Sequence, residues 1–179
     1  LSYKMMELVR VDKQGITLKP IKARELAYEI ERFTKRLLWE KKVVLEKTVA
    51  PGIVWGDMDL LCSLFGNLID NASKACGRTK YEEGEQGKIL LTGKQEKKGY
   101  SFTVEDNGCG IPAEEVGRIT EAFYMVDKSR ARKEGGAGIG MTLCSRIVGL
   151  HHAFWKIDSK EGVGTSVYVF FPEEEEEDD

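Results

Sequence analysis

The run Tyr100-Ser101-Phe102-Thr103-Val104-Glu105 leads straight into Asp106-Asn107-Gly108-Cys109-Gly110-Ile111-Pro112. Tyr100, Phe102 and Val104 alternate with Ser101, Thr103 and Glu105, the period of a strand with one buried face. Asp106 therefore stands at the mouth of a strand, followed by two glycines and an isoleucine. A carboxylate acceptor beside an open, apolar-walled slot suits a flat, amine-bearing ring such as adenine. Taken alone, the segment also reads as an ordinary turn, because Asp-Gly and Asn-Gly pairs are common hairpin chemistry. Its surroundings in the chain decide between the two.

Residues 88–95 form a second strand, joined to residues 100–105 as a hairpin around Glu96-Lys97-Lys98-Gly99. Residues 58–75 predict a helix, with Asp57 as N-cap and Leu60, Leu61, Leu64, Leu68 and Ala72 as its core positions. Residues 23–41 predict a long amphipathic helix whose buried face is Leu26, Ile30, Phe33 and Leu37. Short strands are expected over 16–20, 43–47 and 53–55, and residues 77–87 form a charged, glycine-rich loop. Downstream come a short helix near 114–119, an aperiodic basic and glycine-rich stretch over 126–138, and a helix over 139–150. Strands over 154–159 and 165–171 flank the turn Gly162-Val163-Gly164. Helices and strands interleave, yet the last strands form hairpins. The expected fold class is therefore α+β: a two-layer α/β sandwich, its mixed, mostly antiparallel sheet carrying helices on one face.

A chain of 179 residues can bury one good core and little more. No apolar run approaches the roughly 18 residues of a membrane span. The chain begins at Leu1, without an initiator methionine or a signal-peptide pattern, so it is expected to be an excised, soluble fragment. Leu1, Met5, Leu8 and Val9 fall at helical spacing, as in the end of a helix cut from its bundle, with Gly15 as a hinge. Cys62, Cys76, Cys109 and Cys144 lack metal-ligand spacing and suit reduced thiols in a cytoplasmic compartment. The last seven residues are all acidic, so 23 of the 30 carboxylates lie in the body. Against 27 Lys and Arg the body is near +4, while residues 173–179 carry −7 and are expected to be a disordered, solubilising tail. So small a basic excess fits anionic ligands and does not argue for nucleic acid.

Asn67, Asn71 and Lys74 fall at i, i+4 and i+7, on one face of the predicted helix 58–75. Asn is a mediocre helix former, because its side chain competes for backbone hydrogen bonds. Two on one stripe of a Leu-rich helix are either a polar surface or a site. As a site, one Asn oxygen would serve Mg²⁺, an ion that takes its other ligands from water and phosphates. Lys74 would add a point charge to the same phosphates. Gly135-Gly136-Ala137-Gly138-Ile139-Gly140-Met141 precedes a helix, where glycines admit an anion to unpaired N–H groups. A flexible loop ending at a helix is the other reading. No GxxxxGK[ST] loop occurs, and the spacing departs from GxGxxG. Lys128, Arg130, Arg132 and Lys133 lie just upstream, placed either to close over a triphosphate or to remain a solvated basic loop.

An Asn-bearing helix, an Asp-Asn-Gly-x-Gly-Ile strand end, a Phe123-Tyr124 pair with a basic loop, and a Gly-x-Gly-x-Gly helix start occur in that order. Together they resemble the N, G1, F and G2 boxes of the sensor histidine kinase ATP-binding domain, of the GHKL superfamily. The segment from Glu121 to Arg130 is similar to the F box and lid start, and residues 162–172 to the closing strand. The resemblance covers residues 18–172 and implies the Bergerat ATP-binding fold. Residues 1–17 would be the end of a dimerisation and phosphoacceptor helix with its hinge.

The resemblance implies ATP and Mg²⁺ as cofactors, with Asn71 ligating the metal and Asp106 accepting from the adenine amino group. Asn67 would help position the phosphates, and Lys74, Arg130 and Arg132 would touch them. The implied pocket and lid also include Gly108, Gly110, Ile111, Phe123, Tyr124, Lys128, Gly136, Gly138, Ile139, Gly140, Met141 and Thr165. Asn67, Lys74 and Arg130 would be the catalytic members. Ala75 departs from the many family members with an aromatic there.

The implied activity is transfer of the γ-phosphoryl group of Mg-ATP to a histidine on a helical dimerisation domain absent from this chain. The only histidines, His151 and His152, suit a structural turn after the last helix instead. The partners implied are that dimerisation domain, a second copy in the full-length homodimer, and a response regulator. The isolated fragment is expected to be monomeric, and the full-length protein membrane-anchored with this domain in the cytoplasm. The rival clamp ATPases of the gyrase and Hsp90 kind place a general-base Glu where this chain has Asn67. A non-catalytic nucleotide-binding module is the other alternative.

Overall fold

The computed structural model describes residues 15–119 and 137–174, with Met6 besides. The expected helix over residues 1–11, most of the 126–138 stretch and residues 175–179 therefore fall outside the described residues. In chain order the elements are β1 (Lys19–Lys22), α1 (Ala23–Lys41), β2 (Val44–Val49), β3 (Ile53–Gly56), α2 (Met58–Gly77), β4 (Lys88–Glu96) and β5 (Gly99–Asp106). Then come α3 (Ala113–Ile119), α4 (Ala137–Leu150), β6 (Phe154–Lys160) and β7 (Gly164–Pro172).

Five strands form one sheet in the order β2-β4-β5-β7-β6, and β1 pairs with β3 in a separate two-stranded ribbon. β2 and β4 run parallel, and the other three pairs of the large sheet are antiparallel. The sheet is thus mixed and mostly antiparallel, and α1, α2 and α4 contribute the helical side of the core. The register sets Asp106 beside Ile89 on β4 and Thr165 on β7, which puts three strand ends together at one edge.

Tyr100, Phe102 and Val104 are buried, as their alternation predicts, but Ser101 between them is buried as well. Phe65 of α2 meets Phe102 edge-on at 5.2 Å between ring centroids and tilts against Phe171 at 6.2 Å. Each such buried aromatic contributes about 1.5–3 kcal/mol through removal from water. All five predicted core positions of α2 are buried. The buried stripe of α1 differs from expectation, running through Ala23, Leu26, Ala27, Ile30, Thr34 and Leu38. Phe33 instead is 60% exposed and lies over Gly66, where a Cβ would sit 2.6 Å from its ring. Thr34 is tolerated inside because its hydroxyl donates to the Ile30 carbonyl one turn back.

Helix α2 is tied down at its start. Asp57 is its N-cap, accepting from the Leu60 amide at 2.9 Å. The Asp57 amide in turn donates to Nε2 of His151 at 3.1 Å, and His151 Nδ1 donates to the Ile147 carbonyl at 2.7 Å. That pattern requires the neutral Nδ1–H tautomer. Burial, the largest cause, lowers the His151 pKa; its bond to Ile147 and the Asp57 charge oppose that, and His152 adds to it. A depressed histidine pKa keeps its full stabilising effect above the unfolded value of about 6.5 and loses it as pH falls below that. Replacing His151 with Leu leaves the Asp57 amide without its acceptor, for an expected loss of about 1–3 kcal/mol near neutral pH. The same variant should lose less stability than the parent between about pH 7 and pH 5. Urea unfolding at the two pH values measures both effects.

Candidate functional site

The strand end predicted to hold a ligand crosses the C-terminal turn of α2. Cys109 donates its amide to the Ala75 carbonyl at 3.3 Å. A Cβ on Gly108 would lie 2.7 Å from both the Ala75 carbonyl carbon and the Ala75 methyl. No larger residue fits there without moving the helix backbone. The next glycine meets a second wall. Gly110 has φ +72°, and a Cβ there would come within 2.2 Å of the Lys160 carbonyl oxygen. Gly162 on the β6–β7 turn donates to the Cys109 carbonyl at 2.7 Å, so residues 108–110 are clamped between α2 and that turn.

The Asp106 carboxylate accepts from the Gly108 amide at 2.8 Å through Oδ1. Burial, the largest cause, raises its pKa; the Gly108 and Thr165 amides hold it down and the Glu105 charge adds to the rise. Thr165 thus sits against the carboxylate, and its hydroxyl shares a hydrogen bond of 2.7 Å with Ser159. Ser159 also accepts from the Ile111 amide at 2.8 Å, fixing the backbone at Ile111. Asp106, Gly108, Gly110, Ile111 and Thr165 are therefore brought together by direct contacts.

Along α2, Asn67 is only 8% exposed, and its Nδ2 donates to the Ser63 carbonyl at 2.7 Å. Its Oδ1 is buried with no protein partner among the described residues. Leaving such an acceptor unsatisfied costs about 1–3 kcal/mol, which a donor or a cation from beyond the described residues would offset. One turn on, Asn71 Nδ2 contacts the Met141 sulfur at 3.3 Å, which brings the start of α4 against this face. Lys74 forms an i, i+4 pair with Asp70 at 3.3 Å within the same helix. Its ammonium is engaged there rather than standing free for a phosphate.

At the second glycine motif the helix begins two residues earlier than expected, at Ala137. Gly138, Ile139, Gly140 and Met141 thus belong to the first turns of α4, and Gly140 is buried. Phe123, Tyr124, Lys128, Arg130, Arg132 and Gly136 fall outside the described residues. The described residues contain no cluster of three or more His, Cys, Asp or Glu side chains able to hold a metal.

Sequence reasoning missed Asn107. Its Oδ1 accepts from the Lys88 amide at 2.8 Å and lies 3.2 Å from the Tyr81 hydroxyl and 3.7 Å from the Cys76 thiol. Its Nδ2 donates to the Gln86 carbonyl at 3.0 Å. One amide thereby ties the end of α2, residues 78–87 and the start of β4 to the strand end that carries Asp106. The signal was a lone Tyr81 in an otherwise charged loop. Nothing in the spacing showed that the two would meet.

Residues 56–175 match the family of histidine kinase-, DNA gyrase B- and HSP90-like ATPases. Over 122 residues the chain is 38% identical to the sensor protein kinase WalK of Staphylococcus saprophyticus, covering 68% of this chain and 19% of WalK. The chain thus spans about a fifth of that relative's length. The mycobacterial sensor histidine kinase MprB superposes with a TM-score of 0.67 at 23% identity, covering 87% of this chain and 97% of that one. Full-length ShkA, solved in complex with AMPPNP, superposes with a TM-score of 0.72 at 22% identity, covering 95% and 35%. At those identities the two structures speak for the fold alone. The family match, by contrast, takes in both the Asn67–Lys74 helix face and the Asp106 strand end. The chain belongs to the histidine kinase-, DNA gyrase B- and HSP90-like ATPase family.

Proposed function

We propose that this chain is the ATP-binding catalytic portion of a sensor histidine kinase, carrying Mg-ATP to a phosphoacceptor histidine on a helical dimerisation domain. The observation that carries the reading is the Asp106 carboxylate, held by the Gly108 amide over the end of the helix that bears Asn67 and Asn71. Asp106 is the acceptor for the adenine amino group, with the Ile111 backbone anchored through Ser159. Asn71 would be the protein ligand for Mg²⁺, and the unpartnered Asn67 Oδ1, an acceptor, would take a hydrogen bond from a water between the ion and the helix. When bound, Mg²⁺ neutralises phosphate charge that the protein would otherwise have to meet with side chains. Lys74 reaches the phosphates by leaving Asp70, and Arg130 and Arg132 supply further positive charge. An amide at Asn67 cannot take a proton from water. The site therefore suits transfer to a positioned nucleophile better than hydrolysis.

His151 is buried and hydrogen-bonded through both ring nitrogens, so it is not the phosphoacceptor. The phosphoacceptor and the homodimer contacts lie in the full-length protein, and the response regulator that takes the phosphoryl group is a separate partner. The likeness to WalK, a sensor protein kinase, supports the kinase reading. No described helix is long and apolar enough to cross a membrane. We place this domain on the cytoplasmic side of a membrane-anchored protein, where ATP is available, with residues 1–17 as its link to the dimerisation helix.

Mixing the chain and γ-labelled Mg-ATP with the upstream helical region of its own protein should label a histidine there. Label on serine, or phosphate release without labelled protein, would count against the kinase reading. Asp106→Asn tests the base end separately. An asparagine offers one acceptor oxygen, for which the Gly108 and Thr165 amides compete with the adenine amine. A charged hydrogen bond of this kind contributes about 1.5–3 kcal/mol, so Mg-ATP should bind at least tenfold more weakly by titration calorimetry. Unchanged affinity would remove Asp106 from the pocket.

A further inference from the structure

Asp106 does not hold its own orientation. Its Oδ1 is met by the amide of Gly108, which is the N–H of the Asn107–Gly108 peptide group. The carbonyl of that same peptide group accepts from the Tyr81 hydroxyl at 3.1 Å. Tyr81 lies in the loop between α2 and β4, 25 positions upstream of Asp106, and is half-buried against the core. One rigid, planar amide thus connects the Tyr81 hydroxyl to the Asp106 carboxylate. A hydroxyl donating to the carbonyl end fixes the plane of the peptide and strengthens the N–H at its other end, because hydrogen bonds in series polarise one another.

We infer that Tyr81 is a positioning residue for the base-binding carboxylate, acting through the Asn107–Gly108 peptide. This rests on the reading of Asp106 as the acceptor for the adenine amine. Tyr81 can also donate to Asn107 Oδ1 at 3.2 Å, but that oxygen already takes the Lys88 amide at 2.8 Å. The backbone carbonyl is the acceptor that stands in line with Gly108. Burial, the main cause, raises the Tyr81 pKa, so near neutral pH the phenol keeps the proton it donates. Asp106 is further faced by Glu105 on its own strand, the Cys76 thiol on α2, and the Thr165 amide on β7. A weaker Gly108 donor would leave the burial cost and the Glu105 charge less opposed, and the Asp106 pKa would rise further.

Tyr81→Phe tests this, because it keeps the packed ring and removes only the hydroxyl. Mg-ATP affinity of the 179-residue chain, by titration calorimetry across about pH 5 to pH 8, should be three- to tenfold weaker in the variant near neutral pH. The acid limb, along which binding fails as Asp106 takes a proton, should move to higher pH. Unchanged affinity would overturn the inference. So would a weakening by the same factor at every pH with an unmoved acid limb, since that would assign Tyr81 to loop packing alone. A parent chain that binds no Mg-ATP would overturn the reading of Asp106 itself, and the role of Tyr81 with it. A parent that binds beside an unaffected variant overturns only the role of Tyr81.

Discussion

The close crossing of residues 106–110 over the last turn of α2 is the contact on which the rest of the site depends. Gly108 lies so near Ala75 that a single added carbon would strike the helix backbone, and Cys109 hydrogen-bonds the same residue. That crossing joins a strand end to a helix end, two elements that would otherwise meet only through apolar packing. Backbone hydrogen bonds and steric exclusion set its geometry to a few tenths of an ångström, which side-chain packing alone does not do. The Asp106 carboxylate and the Asn67–Asn71 face belong to one rigid frame for this reason.

Helix α2 is restrained at its other end by chemistry of a different kind. His151, at the close of α4, receives the Asp57 amide at the N-cap, so the helix starts against one neighbour and ends against another. Phe65 of α2 then packs on Phe102 and Phe171 of the sheet. A helix held in this way can present two asparagines on a partly buried stripe despite their poor helix propensity, because tertiary contacts outweigh the few tenths of a kcal/mol they cost. The Asn67 oxygen is left buried without a hydrogen-bond partner among the described residues.

The amide of Asn107 and the hydroxyl of Tyr81 add another layer. Between them they bind β4, β5, α2 and residues 78–87 around one peptide group. Binding sites with a buried carboxylate need such support, since a charge removed from water must be met by oriented donors or lose its proton. Here the donors are main-chain amides, positioned by glycines that admit them and by a tyrosine that holds their plane.

Period-2 alternation announced β5 and the β4–β5 hairpin, and helical spacing announced α1, to its end residues, and the core of α2. The order of the Asn-bearing helix, the Asp-Asn-Gly-x-Gly-Ile segment and the second glycine motif pointed to the family before any fold was in view. Local patterns suffice for these features because they are set by chain periodicity and by residue types whose backbone or hydrogen-bonding chemistry is particular. Rotation of α1 was not legible. Phe33 and Leu37 fit an apolar stripe as well as Thr34 and Leu38 do, and only the shape of the α2 surface, with Gly66 beneath Phe33, chose between them. Nor did spacing show that Lys74 would pair with Asp70, or that Tyr81 would reach a peptide 26 residues downstream. Sequence alone determined which chemical groups the site has to work with. The tertiary structure decided which are spent on one another and which are left for a ligand, because hydrogen-bond partners are assigned by distances that only the folded chain sets.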